Sequence, residues 1–307
     1  MVAGVERISS GQPIIMNGIE VSVDKNAMQG KVCLVTGATA GIGKVAAAAL
    51  AAQGAEVVIT GRNPQKTSDV ADQIKSETGN QSVQYLLADF SNLQQVRDLA
   101  AAFKQRYSRL DVLLNNAGAF FNTRVETSYG VEMVFLVNHL APFLLTNLLL
   151  DVIQASTPAR IVNVSSDTHK YGTLNFEDLG FERGYFGMKA YARSKLANVL
   201  FTYELARRLA ERDVTVNAVH PGHVATDIWK TNFSIFGPAL KYITSLFALT
   251  PQQGADALIY LASSSDVAGI TGQYFVKRKA VPSSPLSYDE KIAQRLWEIS
   301  ESFTSLK

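Results

Sequence analysis

The stretch Tyr191-Ala-Arg-Ser-Lys195 sets a phenol and an ammonium four residues apart. On a helix that spacing is one turn, so both side chains project from the same face. A phenol titrates near ~10 when unperturbed, and a neighbouring positive charge favours its ionised form. Such a pair can give a proton to a nascent alkoxide or take one from an alcohol. The same pattern also arises by chance on amphipathic helices, with the ring packed and the amine solvated. Leu196, Val199, Leu200 and Tyr203 do mark a buried stripe here. The elements around the pair must decide between chemistry and packing.

Those elements alternate. Short apolar runs at 31–36, 55–60, 82–88, 110–116, 160–166, 214–220 and 273–277 read as strands buried on both faces. Between them, 43–54, 64–78, 92–107, a long segment near 128–153, 188–211 and 251–263 read as helices. Strands joined through helices need crossover connections, which build a parallel sheet covered on both faces. The expected architecture is one α/β domain over 31–280, with a doubly wound parallel sheet of about seven strands. An N-terminal extension (1–30) and a C-terminal helical extension (281–307) flank it.

After the first strand comes Thr36-Gly-Ala-Thr-Ala-Gly-Ile-Gly43. Glycines between a strand and a helix N-terminus let the backbone approach a pyrophosphate, whose charge the first-turn N–H groups and helix dipole stabilise. A P-loop is excluded, because it would need glycine at Ala38 and Ser/Thr at Val45. The second strand ends Thr60-Gly61-Arg62-Asn63, without the acid that usually meets an unphosphorylated adenosine ribose. Arg62 instead offers a guanidinium suited to a 2′-phosphate, so NADP(H) is expected over NAD(H).

Composition removes other classes. Charges balance at 29 − 27 = +2, too even for a nucleic-acid surface. Cys33 is the lone cysteine, so no intrachain disulfide can form and nothing points to an oxidising compartment. His220-Pro-Gly-His223 has no helical metal-binding face, and no metal is expected. Residues 1–18 hold only short apolar runs, and 131–153 is interrupted by Asn138, His139, Pro142 and Asn147. A cytoplasmic protein with at most peripheral membrane contact is the expectation.

With these motifs in order, the sequence resembles the short-chain dehydrogenase/reductase family. The resemblance runs through TGATAGIG (36–43), Asp89, NNAG (115–118), Asn138 in VNHLAPF, VNVSS (162–166), YARSK (191–195) and HPG (220–222) with Thr226. LANVLFTYELARRL (196–209) and the ending TGQYFVKRK…SYDEKIAQRLWEIS (271–300) are similar to the retinol dehydrogenase and protochlorophyllide reductase-like branch. The resemblance implies a Rossmann fold and a catalytic set of Asn138, Ser166, Tyr191 and Lys195. It takes Ser166, not Ser165, as the serine that orients the substrate oxygen. It also implies that Gly37, Thr39, Ala40, Gly41, Ile42 and Gly43 hold the pyrophosphate, and that Asp89 and Phe90 border the adenine. Asn115, Ala117 and Gly118 line the cleft, and Pro221, Gly222, Val224 and Thr226 hold the nicotinamide end. Lys195 would reach the nicotinamide ribose, and Asn138 would join Lys195 in a proton relay.

Carbonyl reduction by hydride leaves an alkoxide that needs a proton, which the Tyr191 phenol supplies. The segment 227–250 carries Ile228, Trp229, Phe233, Phe236, Leu240, Tyr242, Leu246 and Phe247 and is expected as an apolar lid. A lid of this kind suits a retinoid-, steroid- or long-chain-carbonyl-like substrate. Packing on the core or on a second copy of the chain is the plainer role for the same residues. The insertion 167–187 is a further candidate for the pocket border, through Tyr171, Phe176, Phe181 or Tyr185. Two other classes stand beside the oxidoreductase. One is a non-catalytic NADP-binding regulator or scaffold, for which damage to the Tyr/Lys/Ser set is expected. The other is a serine hydrolase, which lacks its G-x-S-x-G elbow here.

Overall fold

The computed structural model describes residues 13–16, 19–22, 26–224 and 249–306. Near the N-terminus, β1 (Pro13–Met16) and β2 (Ile19–Ser22) pair antiparallel with each other as a separate two-stranded sheet. The main domain starts at β3 (Val32–Val35), whose four residues are all buried. α1 (Gly41–Ala52), β4 (Glu56–Gly61), α2 (Pro64–Thr78), β5 (Val83–Leu87), α3 (Leu93–Arg106) and β6 (Val112–Asn115) follow. Next is a helical run of α4 (Met133–Phe135), a π turn (Leu136–Leu140), α5 (Ala141–Leu148) and α6 (Leu150–Ala155). The chain continues through β7 (Ala159–Val164), α7 (Gly187–Arg208) and β8 (Val214–His220), then α8 (Pro251–Ser263), β9 (Tyr274–Val276), β10 (Lys279–Ala280) and α9 (Glu290–Thr304).

The sheet runs β10-β9-β8-β7-β6-β3-β4-β5. Its ladders are parallel except β9–β10, a short antiparallel edge that makes eight strands where the sequence suggested about seven. The chain winds outward from β3 through β4 to β5, then returns to the other side of β3 as β6. That reversal opens a crevice at the carboxyl ends of β3 and β6, where doubly wound sheets take their ligands.

β3 shows why its apolar run is continuous rather than alternating. Val32 and Leu34 belong to one apolar cluster, with Phe103, Phe143 and Trp297, while Cys33 and Val35 belong to the other, with Leu50 and Leu258. Successive side chains face opposite helical layers, so every position must be apolar. α9 joins the first layer through Ala293, Leu296 and Trp297. Every residue of α7 from Ala190 to Ala206 is buried. The solvated face that a chance Tyr/Lys spacing would need is absent over this length.

The long helix expected near 128–153 begins later, and its first turns are irregular. Buried Glu132 accepts hydrogen bonds from the Val134 and Phe135 N–H groups and so fixes the start. Burial lifts its carboxyl to about 7. Pro142 has no N–H to offer the Asn138 carbonyl, and the chain widens into the π turn there. Among the described residues no helix is long and apolar enough to cross a membrane.

Candidate active site

Four helices show what a capped N-terminus looks like in this chain. Side chains of Asn63, Asn92, Thr250 and Asp289 accept from backbone N–H groups at the starts of α2, α3, α8 and α9. α1, like α7, has no side-chain cap: its N-cap is Ala40, and its start lies in the glycine loop after β3. Its first-turn N–H groups, at the carboxyl end of β3, therefore suit an anion from outside the chain. The loop leading there is held close. Gly37 has φ +64, and a Cβ on it would lie 2.7 Å from the Ala117 Cα. A Cβ on Gly43 would lie 2.3 Å from Asn116 Nδ2. This cradle, in front of an uncapped helix, fits a dinucleotide pyrophosphate.

Asn116 braces the cradle, and the sequence reading did not single it out. Its Nδ2 donates to the Thr36 carbonyl at 2.8 Å and the Gly37 carbonyl at 3.1 Å. Thr36 Oγ1 returns the tie by accepting from the Asn116 and Ala117 N–H groups at 2.9 and 3.0 Å. Its neighbour Asn115, expected to line the cleft, directs its side chain elsewhere: Nδ2 donates to Thr146 Oγ1 and Asn163 Oδ1. The strand's alternation explains the difference. Thr39 lies against Gly61, where a Cβ would come within 2.4 Å of its methyl. The next residue, Arg62, is exposed and makes no ion pair among the described residues. Asp89 is tied locally, accepting from the Ser91 N–H and hydroxyl. Phe90, expected beside the adenine, has its ring in the larger core cluster instead. Only its backbone is left to border a ligand.

Three of the expected catalytic residues, Asn138, Tyr191 and Lys195, lie close together. α7 carries Tyr191 and Lys195, with Lys195 only 3 % exposed. Its Nζ donates to the Val164 carbonyl at the end of β7 (3.1 Å) and lies 5.4 Å from the Tyr191 ring centroid. The chance-helix alternative needs a solvated amine, and this one is enclosed. The π turn delivers Asn138, whose Nδ2 donates to Ser194 Oγ and the Ala119 carbonyl, both at 3.0 Å. A Cβ on Gly118 would stand 3.4 Å from Asn138 Oδ1 and 3.8 Å from Lys195 Nζ, so NNAG, Asn138 and Lys195 meet at one point.

The two serines part company as strand alternation requires. Ser165 is buried and its hydroxyl donates to the Lys195 carbonyl at 2.8 Å, inside the helix contact. Ser166 is half-buried and its hydroxyl accepts from the Thr168 N–H at 3.3 Å, which leaves its proton for another acceptor. His169 steadies the turn behind it. Nδ1 contacts the Ser166 carbonyl at 2.7 Å and Nε2 accepts from the Ser284 N–H at 3.0 Å, a pairing that fixes the neutral Nδ1–H tautomer. Burial also pulls this imidazole below its ordinary value.

Burial governs the titration of the pair. It brings Lys195 down to about 8 and drives the Tyr191 phenol above its ordinary value. A tight phenolate–ammonium pair would do the reverse to both groups. Burial therefore outweighs the neighbouring charge that favours the ionised phenol: the amine directs its hydrogen bond to Val164, and a low-dielectric site disfavours both charges. At neutral pH the pair is a phenol beside an ammonium.

Tyr191 sits in a small apolar cluster with Phe120, Val134, Phe181 and Ala190, edged by Phe121, Tyr185 and Met188. Phe120 meets its ring edge-on, with centroids 5.9 Å apart. At the end of β8, Pro221 and Gly222 are half-buried and Val224 is buried. A Cβ on Gly222, at φ +89, would lie 2.3 Å from Leu249 Cδ1. Val224 and Leu249 form a parallel bridge. Thr226 and all but the end of the expected lid lie outside the described residues.

Comparison with known proteins agrees with this geometry. The family model for short chain dehydrogenase matches residues 31–234. Retinol dehydrogenase 14 of Mus musculus is 43% identical over 291 residues, covering 91% of this chain and 87% of its own. Polyprenol dehydrogenase of Homo sapiens is 41% identical over 282 residues, with 90% and 86% covered. A candidate short chain dehydrogenase from Escherichia coli CFT073, solved in complex with NADPH, superposes with a TM-score of 0.66 at 28% identity, covering 83% of this chain and 99% of that one. The chain belongs to the short-chain dehydrogenase family of oxidoreductases. Within it, the chain falls in the retinol dehydrogenase-like branch.

Proposed function

We propose that this protein is an NADP(H)-dependent reductase of lipophilic carbonyl compounds, working reversibly on the corresponding alcohols. The observation that carries the reading is the enclosed Lys195, one turn from Tyr191 and beside Gly118 and Asn138, in a chain whose glycine-lined α1 N-terminus has no side-chain cap. The cradle at Gly37, Gly41 and Gly43, with the backbone of 115–118, would hold the dinucleotide, and Arg62 would meet a 2′-phosphate. When bound, the nicotinamide supplies the hydride.

The chain's own residues do the rest. Ser166 donates to the substrate oxygen and orients it. Tyr191, a neutral phenol at working pH, gives its proton to that oxygen as negative charge develops there. The phenolate left behind gains from the Lys195 ammonium at that moment, which is when the charge is useful. Asn138 holds the turn of α7 between them through Ser194. The aromatic surroundings of Tyr191 suit an apolar substrate, and the names of the retinol and polyprenol dehydrogenases among the relatives support the same choice.

The test is NADPH oxidation in the presence of a series of aldehydes and ketones of increasing chain length, repeated with NADH. Turnover that rises with apolar length and prefers NADPH is expected. Equal use of both cofactors removes the Arg62 assignment, and inertness toward every carbonyl removes the enzyme.

A further inference from the structure

Between Tyr191 and Lys195 lies a residue that the reaction does not use. Arg193 is 4 % exposed although its guanidinium, which burial lowers to about 10, is charged at neutral pH. Its guanidinium turns away from the catalytic pair and enters the loop that joins Ser166 to α7. Nε donates to the Thr173 carbonyl at 3.1 Å, and Nη1 donates to the carbonyls of Asp178 and Leu179 at 2.6 and 3.1 Å. The same group lies over the Phe181 ring, 3.5 Å from its centroid. Phe181 has φ +47, a left-handed conformation that a bulky residue rarely adopts without being held there. Arg124 adds a bond from Nε to the Gly180 carbonyl at 2.9 Å.

The held loop is not remote from the chemistry. Phe181 shares an apolar cluster with Tyr191 and Phe120, and its ring meets Tyr185 edge-on at 6.0 Å. Tyr185 in turn donates through its hydroxyl to the Phe121 carbonyl. A planar, charged fork suits this task, since it can satisfy three carbonyls and still stack on a ring, which an ammonium cannot. Burying a cation is costly unless its donors are used, and here they close a loop that has no secondary structure of its own.

We propose that Arg193 is a positioning residue that fixes the aromatic wall beside Tyr191, and thereby sets the preference for long apolar substrates, by clamping the 173–181 loop to the catalytic helix. The inference rests on the carbonyl-reductase reading and adds to it the residue that shapes the substrate side.

The experiment compares wild type with R193K and F181L, using propanal and decanal as substrates, NADPH affinity by fluorescence, and amide hydrogen exchange across 167–187. Both variants should raise KM for decanal about tenfold or more, with kcat and propanal kinetics changed less than about threefold. NADPH affinity should hold, and amides of 173–181 should exchange faster in R193K. The R193K/F181L double variant should be no worse on decanal than the weaker single one, because both changes open the same clamp. Equal losses on propanal and decanal, or unchanged exchange in the loop, would overturn the inference alone. A wild type that binds NADPH yet reduces neither aldehyde would overturn the reductase reading together with it.

Discussion

Replacing Lys195 by methionine should stabilise the folded protein at neutral pH while removing its turnover. Burial moves the amine from its reference 10.5 to about 8, and at 1.36 kcal/mol per pH unit that is roughly 3 kcal/mol carried by the folded state. Methionine fills a similar apolar path without a charge. The Val164 carbonyl is not orphaned, since Asn198 Nδ2 still donates to it at 3.2 Å. The lost lysine bond subtracts ~1 kcal/mol, leaving K195M ahead by about 2 kcal/mol, or about 4 °C in Tm. The sign reverses with pH. Below about 8 the amine is protonated in both folded and unfolded chains, and wild type bears the whole burial cost. Between about 8 and 10.5 the unfolded chain holds a proton that the folded one has released, so this group makes wild type more stable as pH rises. The gap should therefore close by ~3 kcal/mol across that window, and K195M should lose its lead. Urea titrations followed by tryptophan fluorescence, with Trp297 as a buried reporter, measure this at a series of pH values. An unfolding midpoint for K195M below wild type at neutral pH, or a gap indifferent to pH, would refute the reasoning.

Other outcomes follow from the same geometry. S166A should lose about 10²-fold in kcat. S165A should keep most turnover and lose about 1 kcal/mol in urea, because its hydroxyl serves the α7 backbone. R62A should weaken NADPH binding by about tenfold to a hundredfold and leave NADH binding unchanged, read by titration calorimetry. N116A should loosen the glycine cradle, raising the Kd of both NADPH and NADH about tenfold; loss of one alone would contradict its bracing role.

The fold was legible where a physical constraint acts residue by residue. β3 read as a strand because burial on both faces keeps its whole run apolar, and α8 read correctly to its ends because Thr250 and Gln253 form a capping box around Pro251. The start of the long helix was not legible, since Glu132 caps it from a buried position and the π turn answers to Pro142. Lys195 and Tyr191 were visible as a spacing, but their protonation was not, because it depends on their burial, Tyr191 among Phe120, Val134 and Phe181 and Lys195 against the end of β7, rather than on each other. Choosing between Asn115 and Asn116 needs the direction of each side chain at the end of β6, which the strand run alone did not give. Arg193 left no signal, because its partners are backbone carbonyls, and these look the same in every sequence.

The most direct measurement of the central claim pairs cofactor binding with product formation in wild type and Y191F. With NADPH and decanal, wild type should form decanol in step with NADPH oxidised, while Y191F should bind NADPH with the same Kd and form decanol about 10³-fold more slowly. Near-normal decanol formation by Y191F, or a wild type that binds NADPH and makes no alcohol from any carbonyl offered, would contradict the account.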